Sequence, residues 1–279
     1  MLLRKDDFSG AWPKFFTASS PIVTNGLCIA QVGGSGNGGM VAYDLTTGDQ
    51  KWKWTGDGPA YASPALMTVA DTKLILAETE KSIVALQFAD GKLAWETPFA
   101  AQGMSYNAAT PIVDGQTLIY CGQGRGAKAV KIEKQGEGFA AKELWSNPDN
   151  SVQFNTPVLR NGQLIGMSQR GDFFCINAQD GKTAWTAPST PPVAGTEAAG
   201  GGGRGGRGRG GYGTVVDAGS VLLALTPASE LIAFQPSDKA YTELARIKVA
   251  DTATYAYPVV SGNRIFIQDQ ASVTLWTIE

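Results

Sequence analysis

The chemistry open to this 279-residue chain is limited by its composition, because the sequence contains no histidine. Without imidazole, a Ser-His-Asp triad, a Cys-His pair and a His-ligated zinc site are all excluded. The three cysteines, Cys28, Cys121 and Cys175, lie far apart, with no C-x-x-C motif and no adjacent pair. We expect them to be buried thiols in strands rather than a disulfide framework.

A glycine- and arginine-rich segment, "AAGGGGRGGRGRGGYG" at residues 198–213, is the most unusual stretch of the chain. Such segments occur in RNA-binding proteins, but three arginines with one nearby tyrosine make a small electrostatic footprint. The whole chain has a net charge of −2, so no general attraction to nucleic acid is expected. The segment by itself does not predict a function.

A repeat runs along the rest of the chain. "SPIVTNGLCIA" (20–30), "TPIVDGQTLIY" (110–120), "TPVLRNGQLIG" (156–166) and "YPVVSGNRIFI" (257–267) share one pattern, and "SPALMTVADTKLILA" (63–77) fits it with a longer turn. A second pattern places a glycine four residues before a tryptophan in "VAYDLTTGDQKW" (41–52), "VALQFADGKLAW" (84–95) and "FCINAQDGKTAW" (174–185). "GTVVDAGSVLLAL" (213–225) supplies a sixth unit, with Thr214 in place of the proline.

Each unit predicts four short strands, because its apolar residues alternate or run in fours and its turns carry "NG", "DG" or "TTG". The proline opens the first strand, where no ladder donor is lost. Units of four strands and roughly 45 residues are typical of β-propeller blades. The predicted fold class is therefore all-β, a propeller of four-stranded antiparallel blades, with residues 1–279 forming one domain.

The glycine-arginine segment is predicted to be an insertion between two blades. The interval from Pro157 to Thr214 is 57 residues, about a dozen more than in the other units. Residues 188–212 are therefore expected to form a flexible inter-blade loop.

Deleting residues 198–211 is expected to leave the fold intact, because loop-closure free energy changes only slowly with loop length. Denaturant unfolding of the deletion variant would check this. Loss of a cooperative transition would mean that the segment packs onto the body of the protein.

The frame S/T-P-x-x-x-x-G, an apolar strand and then A-L-D-x-x-T-G-K-x-x-W resembles the pyrroloquinoline quinone (PQQ)-like repeat. This family includes quinoprotein alcohol dehydrogenases, the propeller lipoprotein of bacterial outer-membrane barrel assembly, and PQQ-like propeller proteins of environmental bacteria. The resemblance covers essentially residues 8–279. It implies that the strand-four tryptophans dock between adjacent blades, namely Trp52, Trp95, Trp145 and Trp185.

Six repeats are visible, whereas the family usually has eight. The segment "FSGAWPKF" around Trp12 is interpreted as an orphan fourth strand, which would either complete the last blade of a closed six-bladed ring or belong to a missing upstream blade. The N-terminus "MLLRKDDFSG" has no apolar run after its basic residues. The protein is expected to be periplasmic or secreted if an upstream signal is missing from the sequence, and cytoplasmic otherwise.

In a propeller, the loops before strand one and the turns after strand two emerge on a single face, where function normally lies. The residues expected there as candidates for binding are Tyr61, Tyr106, Asn107, Arg125, Gln153, Asn155, Arg170 and Tyr255. Glu78, Glu80 and Asp172 occupy the same loops.

Two functions follow from the resemblance. The favoured one is a non-catalytic, monomeric scaffold that binds a protein or polymer partner through this loop face, with no cofactor and no membrane span. The alternative is a PQQ-dependent dehydrogenase or a degenerate relative of one. Such enzymes need oxygen ligands for calcium, an aspartate base and a tryptophan under the quinone, and often add a disulfide of adjacent cysteines. No adjacent cysteines occur, and Asp44 matches a structural position of the repeat, so no catalytic residue is assigned.

Overall fold

The computed structural model of the protein describes residue 8 and residues 10–103, 105–190 and 213–278. Within these ranges it consists of strands, turns and loops, and the strands form six antiparallel sheets. No helix that could cross a membrane occurs in the part of the chain that the structure describes. The chain divides into two compact units, Met1–Gln153 and Phe154–Glu279.

The first unit contains three four-stranded sheets, each a simple meander in chain order. Sheet 1 consists of β1 (Ile22–Thr24), β2 (Leu27–Gly34), β3 (Asn37–Asp44) and β4 (Gln50–Trp54). Sheet 2 consists of β5 (Ala65–Val69), β6 (Thr72–Glu78), β7 (Ser82–Gln87) and β8 (Leu93–Pro98). Sheet 3 consists of β9 (Ile112–Asp114), β10 (Thr117–Gly122), β11 (Gly126–Gln135) and β12 (Gly138–Asn147).

The second unit contains two further four-stranded meanders and one three-stranded sheet. Sheet 4 consists of β13 (Val158–Arg160), β14 (Gln163–Met167), β15 (Asp172–Asn177) and β16 (Thr183–Pro188). Sheet 5 consists of β17 (Thr214–Asp217), β18 (Leu222–Leu225), β19 (Glu230–Phe234) and β20 (Glu243–Lys248). Sheet 6 consists of β21 (Val259–Ser261), β22 (Arg264–Gln268) and β23 (Val273–Thr277).

The turns between first and second strands have the predicted chemistry. Asn25 and Gly26 both adopt positive φ, at 50° and 74°, as do Asn161 and Gly162, at 51° and 75°. This is the two-residue hairpin turn whose twist matches that of the flanking strands. The meanders of sheets 1 to 5 confirm the repeat found in the sequence, including the unit that begins at Thr214.

The strand-four tryptophans occupy one equivalent position. Each pairs with a small residue on strand three, and the pairing register shifts immediately afterwards: Trp52 with Ala42, Trp95 with Ala85, Trp145 with Ala129 and Trp185 with Cys175. In sheet 5, Ala245 stands opposite Ala233 at the same irregularity. The bulge gives each of these sheets the same local bend, and in sheets 1 to 4 it lies beside the indole.

Trp52 packs against the next sheet. Its ring lies over the turn between β7 and β8, where a Cβ added to Gly91 would come within 2.5 Å of the indole. Its Nε1 donates a hydrogen bond to the carbonyl oxygen of Phe88 (3.0 Å). Gly91 also has a φ of 70°, so glycine is required there both by the backbone and by the close approach of the indole.

The other tryptophans differ in how deeply they are buried. Trp185 repeats the arrangement of Trp52, because its Nε1 donates to the carbonyl oxygen of Ser237 in sheet 5 (2.8 Å). Trp145 is 6% exposed. Trp95 is half-buried and packs against the apolar core shared by sheets 2 and 3. The indole at this equivalent position is therefore most enclosed at Trp52, Trp145 and Trp185.

Apolar cores lie between consecutive sheets of each unit. Ile29 and Met40 of sheet 1 join Ile75 and Leu86 of sheet 2 in one core, and Phe173 of sheet 4 joins sheet 5 in another. The three cysteines lie in β2, β10 and β15 and form no disulfide. Burial raises the pKa of the Cys175 thiol to about 11, so it behaves as a packed apolar residue.

The N-terminal segment around Trp12 differs from its prediction. Residues 10–20 contain no strand, and Trp12 is 58% exposed, so the interpretation of "FSGAWPKF" as a fourth strand is wrong for its described residues. A strand needs a partner edge, and this segment instead folds back over the loops of sheets 1 and 2. Of the predicted insertion at 188–212, residues 191–212 lie outside the described residues.

Candidate functional site: an aromatic groove on the first unit

Three aromatic rings meet on the loops of the first unit. The Tyr61 and Tyr106 rings contact each other edge to face, with centroids 5.6 Å apart, and Phe15 meets Tyr106 in the same way at 5.2 Å. The backbone N–H of Phe15 donates to the Tyr61 hydroxyl (3.1 Å). Edge-to-face contacts hold aromatic rings more firmly than burial alone, so these rings form a preorganised cluster.

A groove of about 540 Å³ lies beside this cluster. Its apolar walls come from three loops and include Trp12, Pro13, Pro59, Tyr61, Ala101 and Tyr106. Polar side chains enter at Lys14, Ser35, Glu80 and Lys81. We call this feature the aromatic groove. Its size and its mixture of apolar walls with a few polar groups are those of a binding site.

Residues 99–103 and 105–107, which include Ala101 and Tyr106, are held at their ends by Asn107 and Arg125. Asn107 is buried and donates from Nδ2 to the carbonyl oxygens of Thr79 (2.8 Å) and Phe99 (2.9 Å). Arg125 donates to the Phe99 carbonyl oxygen (2.5 Å) and to Asn107 Oδ1 (2.6 Å). Its guanidinium also stacks 3.9 Å from the Phe99 ring centroid. We call this set of contacts the Arg125 latch.

Gly122 makes room for the latch. A Cβ at this position would lie 2.4 Å from Arg125 Nη2 and 2.9 Å from the Phe99 ring. The second strand ends on a residue with a side chain in four of the described sheets, at Glu78, Met167, Leu225 and Gln268, but at Gly122 the guanidinium occupies that space. Gly122, the first glycine of "CGQGRGA", therefore serves side-chain packing in addition to the turn.

Glu78 lies at the end of β6, fully buried, and neither of its carboxyl oxygens has a hydrogen-bond partner. Burial raises its pKa well above the ordinary value of 4.5, and the nearby positive charge of Arg125 opposes this only in part. Arg125 Nε is likewise buried without a partner. Buried polar groups without a hydrogen-bond partner destabilise the folded state, so Glu78 and Arg125 lower the free energy of unfolding.

The remaining predicted residues lie elsewhere. Gln153 is half-buried at the end of the first unit. In the second unit, Asn155 is buried and donates to the Met167 carbonyl oxygen (3.1 Å), Arg170 is exposed, and Tyr255 is 46% exposed. Tyr257 accepts a hydrogen bond from the Thr156 N–H (2.6 Å). Tyr61, Tyr106, Asn107 and Arg125 are thus the predicted residues that the structure brings together.

Sequence reasoning missed Trp12 and Lys14 as groove residues and Phe15 as a member of the ring cluster, because all three were assigned to a strand. The available signal was the composition of "WPKFF", three aromatic residues beside a proline and a lysine. Asn107 and Asn155 were expected at the binding surface, but both amides instead satisfy backbone carbonyl groups in the interior. Phe15, by contrast, is 60% exposed.

The described residues offer no ligand set for the calcium ion of a bound quinone. Among the residues described, no three His, Cys, Asp or Glu side chains converge so as to hold a metal ion. Asp44 is engaged in the turn after β3, where its Oδ1 accepts from the N–H groups of Thr46 and Thr47. The hydrogen bond from Thr47, together with that from Lys51, lowers its pKa to about 2. Glu78 faces a guanidinium, which disfavours a cation there.

Comparison with known proteins identifies the family. The PQQ_2 family model, described as outer membrane protein assembly factor BamB, matches residues 9–187. Among solved structures, BamB from Moraxella catarrhalis matches with 14% identity and a TM-score of 0.48, covering 94% of this chain and 86% of that one. The comparison with curated proteins gives no match. Since the family model spans well over half of the sequence, the chain belongs to the PQQ-like repeat β-propeller family of the assembly factor BamB.

Proposed function

We propose that this protein is a non-catalytic β-propeller scaffold that binds a segment of a partner protein in the aromatic groove. One observation carries the proposal: Phe15, Tyr61 and Tyr106 form a ring cluster beside a groove of about 540 Å³. Tyrosine and tryptophan side chains, which offer both an apolar surface and a polar atom, are enriched at protein interfaces.

The exposure of the groove's rim supports a macromolecular partner. Trp12, Phe15 and Phe16 are 58%, 60% and 67% exposed and lie close together in the chain, with Trp12 and Phe16 stacked 6.3 Å apart. Contiguous exposed apolar surface of this kind costs solubility unless a partner covers it. Side chains of an extended segment would enter the groove while its backbone crossed the rim.

The family's printed description, an outer membrane protein assembly factor, supports a location in the bacterial envelope on the periplasmic side of the outer membrane. Its wording also supports an assembly role in which the propeller holds a protein partner in place. We therefore include both in the proposal. No cofactor is part of it, since the donor set described above does not suit calcium and a quinone.

Photo-crosslinking from the groove tests the proposal. With p-benzoylphenylalanine at position 106, a crosslinked partner is expected in cells that express the protein, and position 93 in β8 serves as an exposed control. Adding Tyr61→Ser should lower the crosslink yield about tenfold, the effect of removing an aromatic interface residue. The unfolding free energy should fall by only about 1–2 kcal/mol, because Tyr61 is half-buried and loses its ring contacts and one hydrogen bond.

Equal crosslinking from positions 93 and 106 would contradict binding in the groove. A titration with PQQ and calcium, followed by the absorbance of the quinone, tests the non-catalytic part separately. Stoichiometric uptake accompanied by dye-linked alcohol oxidation would overturn it.

A further inference from the structure

Unpartnered polar atoms are concentrated behind the aromatic groove. Of the eight buried side-chain atoms without a hydrogen-bond partner in the described residues, five belong to Glu78, Glu80, Gln123 and Arg125. Glu78 ends β6, and Glu80, Gln123 and Arg125 lie on the turns that follow β6 and β10, in neighbouring sheets. Native structures leave few such atoms unsatisfied, so their accumulation beside one loop calls for a physical explanation.

Arg125 has two alternative sets of acceptors: the oxygens of Phe99 and Asn107, and the carboxyl group of Glu78. It donates to the Phe99 carbonyl oxygen and to Asn107 Oδ1, which leaves Nε unused. Glu78 is close enough for each group to influence the other electrostatically, yet its two oxygens accept nothing. An ionised carboxylate in this interior would attract the guanidinium strongly. The observed arrangement is therefore the one expected when Glu78 carries a proton.

Of the titratable side chains that sheet 3 places near Glu78, Arg125 is charged near physiological pH, whereas Tyr120 and Cys121 are neutral. Burial raises the pKa of Tyr120 to about 12 and that of Cys121 still further, so both stay neutral near physiological pH. Glu80 and Lys81 lie on the turn that connects Glu78 at the end of β6 to β7. Asp57 reaches this turn from the loop after β4 and accepts from the Thr79 hydroxyl (2.7 Å).

Release of Arg125 would act directly on the groove. Asn107 would lose the donor to its Oδ1, and the Phe99 carbonyl oxygen would lose its shortest hydrogen bond. These residues bracket the loop that carries Ala101 and Tyr106, and the N–H of Tyr61 donates to the Asn107 carbonyl oxygen (2.9 Å). The Arg125 side chain therefore connects the charge of Glu78 to the Tyr61 and Tyr106 rings.

We propose that Glu78 and Arg125 form a proton-dependent switch that controls the order of residues 105–107 and of the Phe99 backbone, and thereby the affinity of the aromatic groove. With Glu78 neutral, the Arg125 latch is closed and the groove is formed. When Glu78 ionises, Arg125 turns to it and the loop loosens. The regulatory consequence rests on the proposed function of the groove, whereas the switch itself is a property of the free protein.

Amide hydrogen exchange of the free protein, followed by NMR, tests the switch. The protection factor of the Tyr61 amide is expected to fall from acid to alkaline pH as Glu78 ionises, on the order of tenfold, which is about the effect of losing one hydrogen bond. In Glu78→Gln it should stay near its value at low pH. Glu96→Gln, an exposed change on β8, should behave like the natural chain.

The same pH dependence in Glu78→Gln and the natural chain would overturn the proposal. Arg125→Met gives a second measurement, because it should show low Tyr61 protection throughout the pH range, and retained protection would contradict the latch. If Arg125→Met does not fold, the Glu78→Gln comparison still decides. Because no partner is present, a failure here is distinct from a failure of the crosslinking experiment, which tests the groove itself.

Discussion

Replacing Trp52 with alanine is expected to lower the free energy of unfolding by about 3–5 kcal/mol, the cost of removing a large buried aromatic side chain. The indole is 6% exposed, packs against Gly91 of the neighbouring sheet and donates to the Phe88 carbonyl oxygen. Its loss would leave a cavity between sheets 1 and 2 and an unpaired carbonyl group. Denaturant titration followed by far-ultraviolet circular dichroism measures the change.

Two further variants separate the contributions of the indole. Trp52→Phe keeps most of the packing and loses the hydrogen bond, so it should cost about 1 kcal/mol for that bond in addition to a smaller packing loss. Trp95→Ala should cost less than Trp52→Ala, because Trp95 is half-buried. An equal or larger loss at Trp95 would contradict the assignment of Trp52 as the more deeply docked residue.

Glu78→Gln is expected to make the protein more stable than the natural chain at alkaline pH, by about 1–3 kcal/mol, because the natural chain then bears the cost of a buried carboxylate that Arg125 offsets only in part, together with the lost Arg125 latch. The folded-state pKa of Glu78 is raised by burial above its ordinary value of 4.5. The native state therefore binds more protons than the unfolded state above that pH. Stability attributable to this carboxyl is present below pH 4.5 and is lost as the pH rises through the folded pKa.

Chemical denaturation at a series of pH values measures this effect. The difference in unfolding free energy between Glu78→Gln and the natural chain should grow from acid to alkaline pH, and Glu96→Gln should give no such trend. Parallel curves for Glu78→Gln and the natural chain would mean that Glu78 keeps an ordinary pKa. That result would also remove the physical basis of the switch.

The meander sheets could be predicted from sequence because their causes are local. Alternating apolar residues, a proline at the start of the first strand and turns such as Asn25–Gly26 act over a few neighbouring residues. The glycine-to-tryptophan spacing also predicted that the indoles would be equivalent. The structure places all four opposite small residues at the same bulge.

The N-terminal segment shows where local reasoning is insufficient. Residues around Trp12 have the aromatic content of a strand, but a strand also requires a free edge with which to pair. The segment instead lies against loops of the first unit, where Phe15 meets Tyr61 and Tyr106, which are 46 and 91 positions further along the chain. Contacts between such distant residues have no signature in the spacing of either segment.

The sequence by itself determined the strands, their turns and the family, because periodicity and turn conformation are properties of short stretches of chain. Tertiary structure decided which loop residues form a site. Phe15, Tyr61 and Tyr106 become neighbours, Asn107 turns inward and Glu78 loses all contact with solvent only when consecutive sheets stack. Burial and the resulting electrostatics depend on what one sheet places against the next, so the aromatic groove and the Glu78–Arg125 pair emerge only in the folded protein.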